Sequence, residues 1–201
     1  MARDRASRPE AKPLRLFVAF DVPPAVRDAA ETAIVPWRER FPRAKWVPKQ
    51  NQHVTLKFLG ATWPRLAPWV HETVASVARA HAPVPTRVFG LGAFPTTRHA
   101  RVLWVGLEDP ESRLARIATA LDDALSREFT PEKRGFTPHL TVARFDPQVA
   151  LEGLEDVELG SDPFDVDRIV LFRSHLRRPA PLYEPLATYA LGGEAAIPAD
   201  A

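Results

Sequence analysis

Four residues carry the most chemical promise in this chain: His53 and Thr55 in HVTL (53–56), and His139 and Thr141 in HLTV (139–142). The two tetrapeptides are halves of a longer repeat. At a constant offset of 86, from His53 to His139, Phe17 in RLFVAF falls on Leu103 in RVLWVG, and Pro24 falls on Pro110. Side chains alternate along a strand, so each motif presents an imidazole and, about 7 Å further on, a hydroxyl donor on one face. Val54 and Leu56, like Leu140 and Val142, then face the opposite way. Two such half-sites converging on one ligand suit a phosphoryl group. One histidine deprotonates a nucleophile and the other protonates a leaving group, at a pKa near neutrality. The near-symmetry of the repeat leaves open which histidine takes which part.

The elements that must position these residues follow from the surrounding pattern. LRLFVAFDV (14–22) reads as a buried strand, and Pro24 to about Arg40 as a helix with Val26, Ala30, Ala33, Ile34 and Trp37 on its inner face. AKWV (44–47) is a short strand, and HVTLKFL (53–59) is a strand closed by Gly60. A second helix runs from about Pro64 to His81; strands follow at 84–94 and 100–107. A third helix, about Pro110–Glu128, directs Leu114, Ile117, Leu121 and Leu125 inward, ahead of the strand HLTVARF (139–145). Segments 164–174 and 183–191 supply the last strands. This order predicts an α+β fold: two antiparallel sheets flanked by helices, in two lobes related by a pseudo-twofold axis, with a central cleft between them. The single bilobal domain is expected over 14–190, with loose tails at 1–13 and 191–201.

Composition narrows the function class. The 201 residues are 45% hydrophobic and 26% charged, as expected of a soluble domain, and the apolar runs are strand-sized. The charged start predicts no secretory leader. The chain has no cysteine, which excludes disulfides and thiolate zinc sites and fits a cytoplasmic setting. A net charge of +2 does not describe a bulk nucleic-acid binder. Arginines and lysines do cluster at 38–49, at Arg98 and Arg101, and at 173–178, groups best read as solvated surface. Neither motif has a third ligand at the spacing a metal site needs, which argues against a metal-dependent hydrolase. A non-catalytic binding module on the same fold would have no need for two intact His/Thr pairs.

In order, RLFVAFDVP, HVTLKFLG, ARVLWVGL, PHLTVARF and LFRS with YEPL resemble the two-histidine phosphoesterase superfamily. The likeness is to its bacterial and archaeal RNA 2′,3′-cyclic phosphodiesterase branch, historically called 2′-5′ RNA ligase, and it spans about 14–190. The resemblance implies an enzyme that needs no metal or other cofactor. Its partner is RNA ending in a 2′,3′-cyclic phosphate, with no membrane and no obligate protein partner. It also implies that His53 is the proton donor to the leaving 3′ oxygen, that His139 is the proton acceptor activating water, and that Thr55 and Thr141 bind the phosphate. The product would be a 2′-phosphate, with reversible 2′-5′ ligation as a minor reaction.

Other residues carry weaker expectations. Lys57 shares the His53 face by strict alternation, while Arg144 falls on the Leu140 face unless a bulge returns it to the cleft. His99 and Arg101 border a cleft strand. His71 and His81 read as surface residues, and His175 has no assigned role. Phe17 and Trp104 read as core.

Overall fold

The computed structural model describes residues 12–193 and 196–198. Strand β1 (Leu14–Phe20) leads into helices α1 (Pro24–Ala33) and α2 (Val35–Arg40) and the short strand β2 (Lys45–Trp46). Strand β3 (Val54–Thr62) carries the first motif and is followed by helix α3 (Ala67–Arg79). Strands β4 (Val84–Thr86), β5 (Val88–Phe94) and β6 (Ala100–Leu107) precede helix α4 (Arg113–Leu125). Strand β7 (His139–Val149) carries the second motif, and β8 (Phe164–Val166), β9 (Arg168–His175), β10 (Leu182–Ala190) and β11 (Ala196–Pro198) complete the chain. No helix among the described residues is long and apolar enough to cross a membrane.

Every strand pairing is antiparallel. One half runs β11-β10-β9-β1-β3 and the other β7-β6-β5, with β2 added beside β7. The halves meet at a single pair, Val54↔Leu140. These two residues are equivalent in the 86-residue repeat, and equivalent residues paired antiparallel put the pseudo-twofold axis between them. β4 and β8 form a separate two-stranded ribbon.

The helices bind the halves together. α3 and α4 pack on each other, α3 against β10 and α4 against β3. Phe41, at the end of α2, meets Phe145 of β7 edge-on at 5.4 Å. Thus the helix between β1 and β3 reaches the second half, and the helix between β6 and β7 reaches the first. Leu114, Ile117, Leu121 and Leu125 of α4 are fully buried, as their spacing requires. Asp109 caps that helix by accepting the Leu114 and Ala115 amides at 3.0 and 2.9 Å. β1 is buried on both faces. Leu16, Val18 and Phe20 join the main core, and Phe17 and Ala19 join Val170 and Phe172 in a smaller cluster on the other side.

Several boundaries differ from expectation for local reasons. The first helix breaks at Ile34 because Pro36 has no amide to donate to Thr32. Pro64 opens a separate turn, and α3 itself begins at Ala67. The stretch 84–94 divides into β4 and β5, which belong to different sheets. Residues 1–11 of the expected N-terminal tail lie outside the described residues. Within 191–201, Ala196–Pro198 pairs with β10.

Candidate active site

His53 stands immediately before β3 and His139 opens β7. Continuing the Val54↔Leu140 register by one residue sets His53 against Thr141 and Thr55 against His139. The four side chains therefore share one face, and the two histidines are diagonal neighbours, about 7–8 Å apart along the sheet and somewhat closer at Cβ. All four line a single cleft of about 700 Å³. The charge of His139 contributes to lowering the His53 pKa, so the rings are electrostatically coupled.

Each imidazole is oriented in the same way. His53 Nδ1 lies 2.8 Å from the Asn51 carbonyl, and His139 Nδ1 lies 2.7 Å from the Thr137 carbonyl. Asn51 and Thr137 are again 86 positions apart. A carbonyl only accepts, so Nδ1 carries the proton on both rings and Nε2 is left toward the cleft. The Asn51 side chain also secures the β9–β10 turn beside His53, its Nδ2 donating to the Pro181 carbonyl at 2.7 Å.

The aromatic surroundings differ. His53 stacks on Phe17 at 4.9 Å, meets Tyr183 edge-on at 5.1 Å, and has Phe172 at 6.1 Å. His139 meets Phe94 edge-on at 5.1 Å and Trp104 at 6.2 Å. Trp104 lies over Gly92, where an added Cβ would come within 2.1 Å of the indole, so only glycine leaves it room. Burial pushes the His53 pKa down to about 4, with Arg27, Arg144 and His139 adding to the depression and the Asn51 carbonyl opposing it. Burial likewise holds His139 below its ordinary 6.5, with Arg144 adding to it and Thr137 opposing. Burial raises the Tyr183 hydroxyl above its ordinary 10.

Two β-bulges decide what else reaches the cleft. On β3, Val18 pairs with Lys57 but Ala19 with Thr55, which leaves Leu56 as the extra residue. On β7, Leu103 pairs with Ala143 but Trp104 with Thr141, which leaves Val142 extra. Leu56 and Val142 occupy the same place in the repeat. After each bulge the alternation reverses. Phe58 and Arg144, also equivalent, return to the cleft; Ala143 turns into the core, and Lys57 is buried in the cleft wall beside α4. Lys57, expected on the His53 face, is instead 1% exposed and ion-paired with Asp122 of α4.

The remaining expectations fall outside the site. His99 and Arg101 are not among the cleft-lining residues, and neither is any member of the three arginine and lysine groups; the cleft cations are Arg15, Lys57, Arg134 and Arg144. His71 is not simply a surface residue, since its Nδ1 hydrogen-bonds the Tyr189 hydroxyl at 2.7 Å. His81 bonds the Val77 carbonyl, and His175 meets Glu184 across β9 and β10 at 2.6 Å. Among the described residues, no three His, Cys, Asp or Glu side chains gather to hold a metal. Sequence reasoning missed Asn51, Phe94, Thr137 and Tyr183. The repeat offset was the one signal that could have singled out Asn51 and Thr137 together.

The chain as a whole resembles known proteins. The family model described as the 2′-5′ RNA ligase superfamily matches residues 24–178. This chain belongs to that superfamily. Among its relatives, an RNA 2′,3′-cyclic phosphodiesterase of Methanothermobacter thermautotrophicus is 31% identical over 186 residues, covering 89% of this chain and 99% of the relative. One from Aquifex aeolicus is 30% identical over 190 residues, covering 90% and 100%. A crystal structure of a Thermus thermophilus protein superposes with a TM-score of 0.73 at 28% identity, covering 90% of this chain and 100% of that one. The structure of Escherichia coli LigT complexed with 3′-AMP gives 0.69 at 25% identity, covering 89% and 98%. Within the superfamily, then, this chain spans nearly the full length of these relatives.

Proposed function

We propose that this protein hydrolyses 2′,3′-cyclic phosphate ends of RNA to a 2′-phosphate and a free 3′-hydroxyl, by acid/base catalysis between His53 and His139. The observation that carries the proposal is the placement of both His/Thr pairs on one cleft face, with each Nδ1 committed to a carbonyl and each Nε2 free. The relatives named RNA 2′,3′-cyclic phosphodiesterase support the substrate class.

The chemistry divides between the halves. His139 Nε2 takes a proton from water, the water oxygen bonds to phosphorus, and the P–O3′ bond breaks in line as His53 Nε2–H gives its proton to O3′. Thr55 and Thr141 donate to the non-bridging oxygens, whose charge must be tolerated in the transition state. Arg144 adds a cation from the His139 half. Phe58, 57% exposed on the cleft face, offers a ring against which a base can stack.

The assignment of donor and acceptor follows the family resemblance, and the electrostatics support it. A histidine held down to about 4 becomes a strong acid once protonated, which suits transfer to a poor leaving group. The free protein holds His53 neutral at pH 7, so substrate must supply the bias. One anionic charge at about 4 Å and an effective dielectric near 20 contributes about 4 kcal/mol, roughly three pKa units. That is enough to raise the His53 pKa back toward neutral pH, and so to protonate the ring, as the phosphate enters. In ligation a 5′-hydroxyl takes the place of water: His139 accepts its proton, its oxygen bonds to phosphorus, the P–O3′ bond breaks with His53 protonating O3′, and a 2′-5′ linkage is left; water at its ordinary concentration makes this reaction minor. With RNA as substrate, the cytoplasm is the compartment we assign.

The test is incubation with RNA ending in a 2′,3′-cyclic phosphate, with and without EDTA, comparing the product with authentic 2′- and 3′-phosphate standards. A 2′-phosphate formed equally in chelator is expected. A 3′-phosphate would overturn the donor role of His53, and loss of activity restored by a divalent ion would overturn the metal-free mechanism.

A further inference from the structure

The bulge that buries Lys57 turns it toward the other half of the site. Its ammonium, fully buried, ion-pairs with Asp122 of α4 and donates to the Thr130 carbonyl at 2.9 Å. The Asp122 carboxylate also accepts the Glu132 amide, at 3.0 and 3.2 Å. One buried pair thus holds both ends of the turn Thr130–Glu132. That turn begins a strap running to Thr137, and Glu132, Arg134, Gly135, Phe136 and Thr137 of the strap form one wall of the cleft. Between Thr130 and Thr137, no main-chain to main-chain hydrogen bond is found among the described residues. The strap is anchored at its start by Lys57 and Asp122, and it ends on the carbonyl that holds His139 Nδ1.

We propose that Lys57 and Asp122 are positioning residues for the reaction, setting the orientation of His139 through the strap 130–137. The strand that follows one histidine thus also holds, at the cleft wall, the anchor for the opposite histidine. The coupling is physical. A buried ammonium and carboxylate satisfied by each other and by main-chain groups fix a turn tightly, and removing one partner leaves the other without compensation. Freed at its start, the strap moves the Thr137 carbonyl relative to His139. The ring then loses its fixed tautomer, and the Nε2 that must accept a proton is no longer held toward the cleft. Displacements near 1 Å of a reacting group cost up to about 10²-fold in rate.

The inference rests on the catalytic reading of His139, but one of its measurements does not. Lys57→Met leaves Asp122 stranded and is expected to lower both stability and kcat. The double variant Lys57→Met/Asp122→Leu replaces the pair by apolar side chains and is expected to regain thermal stability. In this double variant kcat should stay about 10- to 10²-fold low with KM within about threefold of wild type, because Thr55, Thr141, Phe58 and Arg144, which hold the substrate, are untouched and the proton acceptor is not. Imidazole ¹⁵N–¹H spectra, assigned with His53→Ala and His139→Ala, should show neutral His139 as the single Nδ1–H tautomer in the wild type. In the double variant it should be a mixture, with His53 unchanged. Recovery of kcat together with stability would reduce the pair to a structural role and overturn the proposal. An unchanged His139 tautomer would overturn it whatever the rate. A wild-type protein inactive on cyclic-phosphate RNA would defeat the functional reading and leave the tautomer result to be judged by itself.

Discussion

The two halves of the cleft share a backbone and differ in chemistry. Each supplies a histidine fixed through Nδ1 by a carbonyl two residues earlier, a threonine two residues later, and a bulge at the same repeat position. The first half then places an aromatic ring, Phe58, where the second places a guanidinium, Arg144. The first half also encloses its histidine in Phe17, Phe172 and Tyr183, while His139 has Phe94 and Trp104. Duplication gives a symmetric pair of proton carriers; a single-phosphate substrate is not symmetric. On the proposed mechanism, the divergence around a common frame would distinguish the carrier for the leaving group from the carrier for water, and a stacking side from a charged one.

Removing the symmetric parts should cost most and about equally on both sides. His53→Ala and His139→Ala should each lower kcat by about 10²–10⁴, and the double variant should fall far short of the product of the two, since the residues act as a unit. Steady-state rates on a cyclic-phosphate oligonucleotide measure this; a wild-type rate for either single variant breaks the comparison at its root. Thr55→Ala and Thr141→Ala each delete one donor to developing charge, worth about 10²–10³ in kcat. A loss at one threonine alone would show that the halves do not share the phosphate.

The asymmetric parts should separate by salt and by base. Arg144→Met should weaken kcat/KM by about 1.5–3 kcal/mol at low salt, the scale of a hydrogen bond to a charged group, with the penalty shrinking as salt rises. Phe58→Ala should cost about 1–3 kcal/mol per stacked base, largely independent of salt. Salt titrations of kcat/KM for the two variants decide this, and parallel salt responses would erase the distinction.

The smallest effect concerns the buried histidines themselves. A folded-state pKa near 4 for His53, against about 6.5 unfolded, means that the unfolded chain binds more protons between these values. The stability linked to neutral His53 is therefore fully present above pH 6.5 and is lost as pH falls through 4; His139 acts in the same direction. Phe17→Ala opens one side of His53 to water. It should raise that pKa and flatten the dependence of the urea midpoint on pH in this window, on top of a pH-independent packing loss of about 3–5 kcal/mol. An unchanged slope would mean that aromatic enclosure does not set the His53 pKa.

Periodicity and the repeat made much of this legible in the chain itself. The inner face of α4, the double burial of β1 and the shared face of the four motif residues all follow from spacing. The bulges at Leu56 and Val142 did not, because the apolar/polar alternation of VTLKF runs on unbroken through the inserted residue, and Ala143 after Val142 reads as either face. Strict alternation therefore misplaced Lys57 toward the phosphate and Arg144 away from it. Two other cleft arginines, Arg15 and Arg134, were missed for a related reason. Arg15, Arg134 and Arg144 are scattered in sequence and gathered by topology, whereas the clustered arginines are surface neighbours. Asn51 and Thr137 act through main-chain carbonyls, which carry no signature of residue type.

The division of labour between the halves can be tested by making one of the two proton transfers unnecessary. A cyclic phosphate end with sulfur in place of the 3′ bridging oxygen leaves as a thiolate, which needs no proton. With this substrate the rate of His53→Ala should return close to that of the wild type, while His139→Ala remains as impaired as on the oxygen substrate. Rescue of His139→Ala, or of neither variant, would contradict the assignment of His53 to the leaving group and His139 to water.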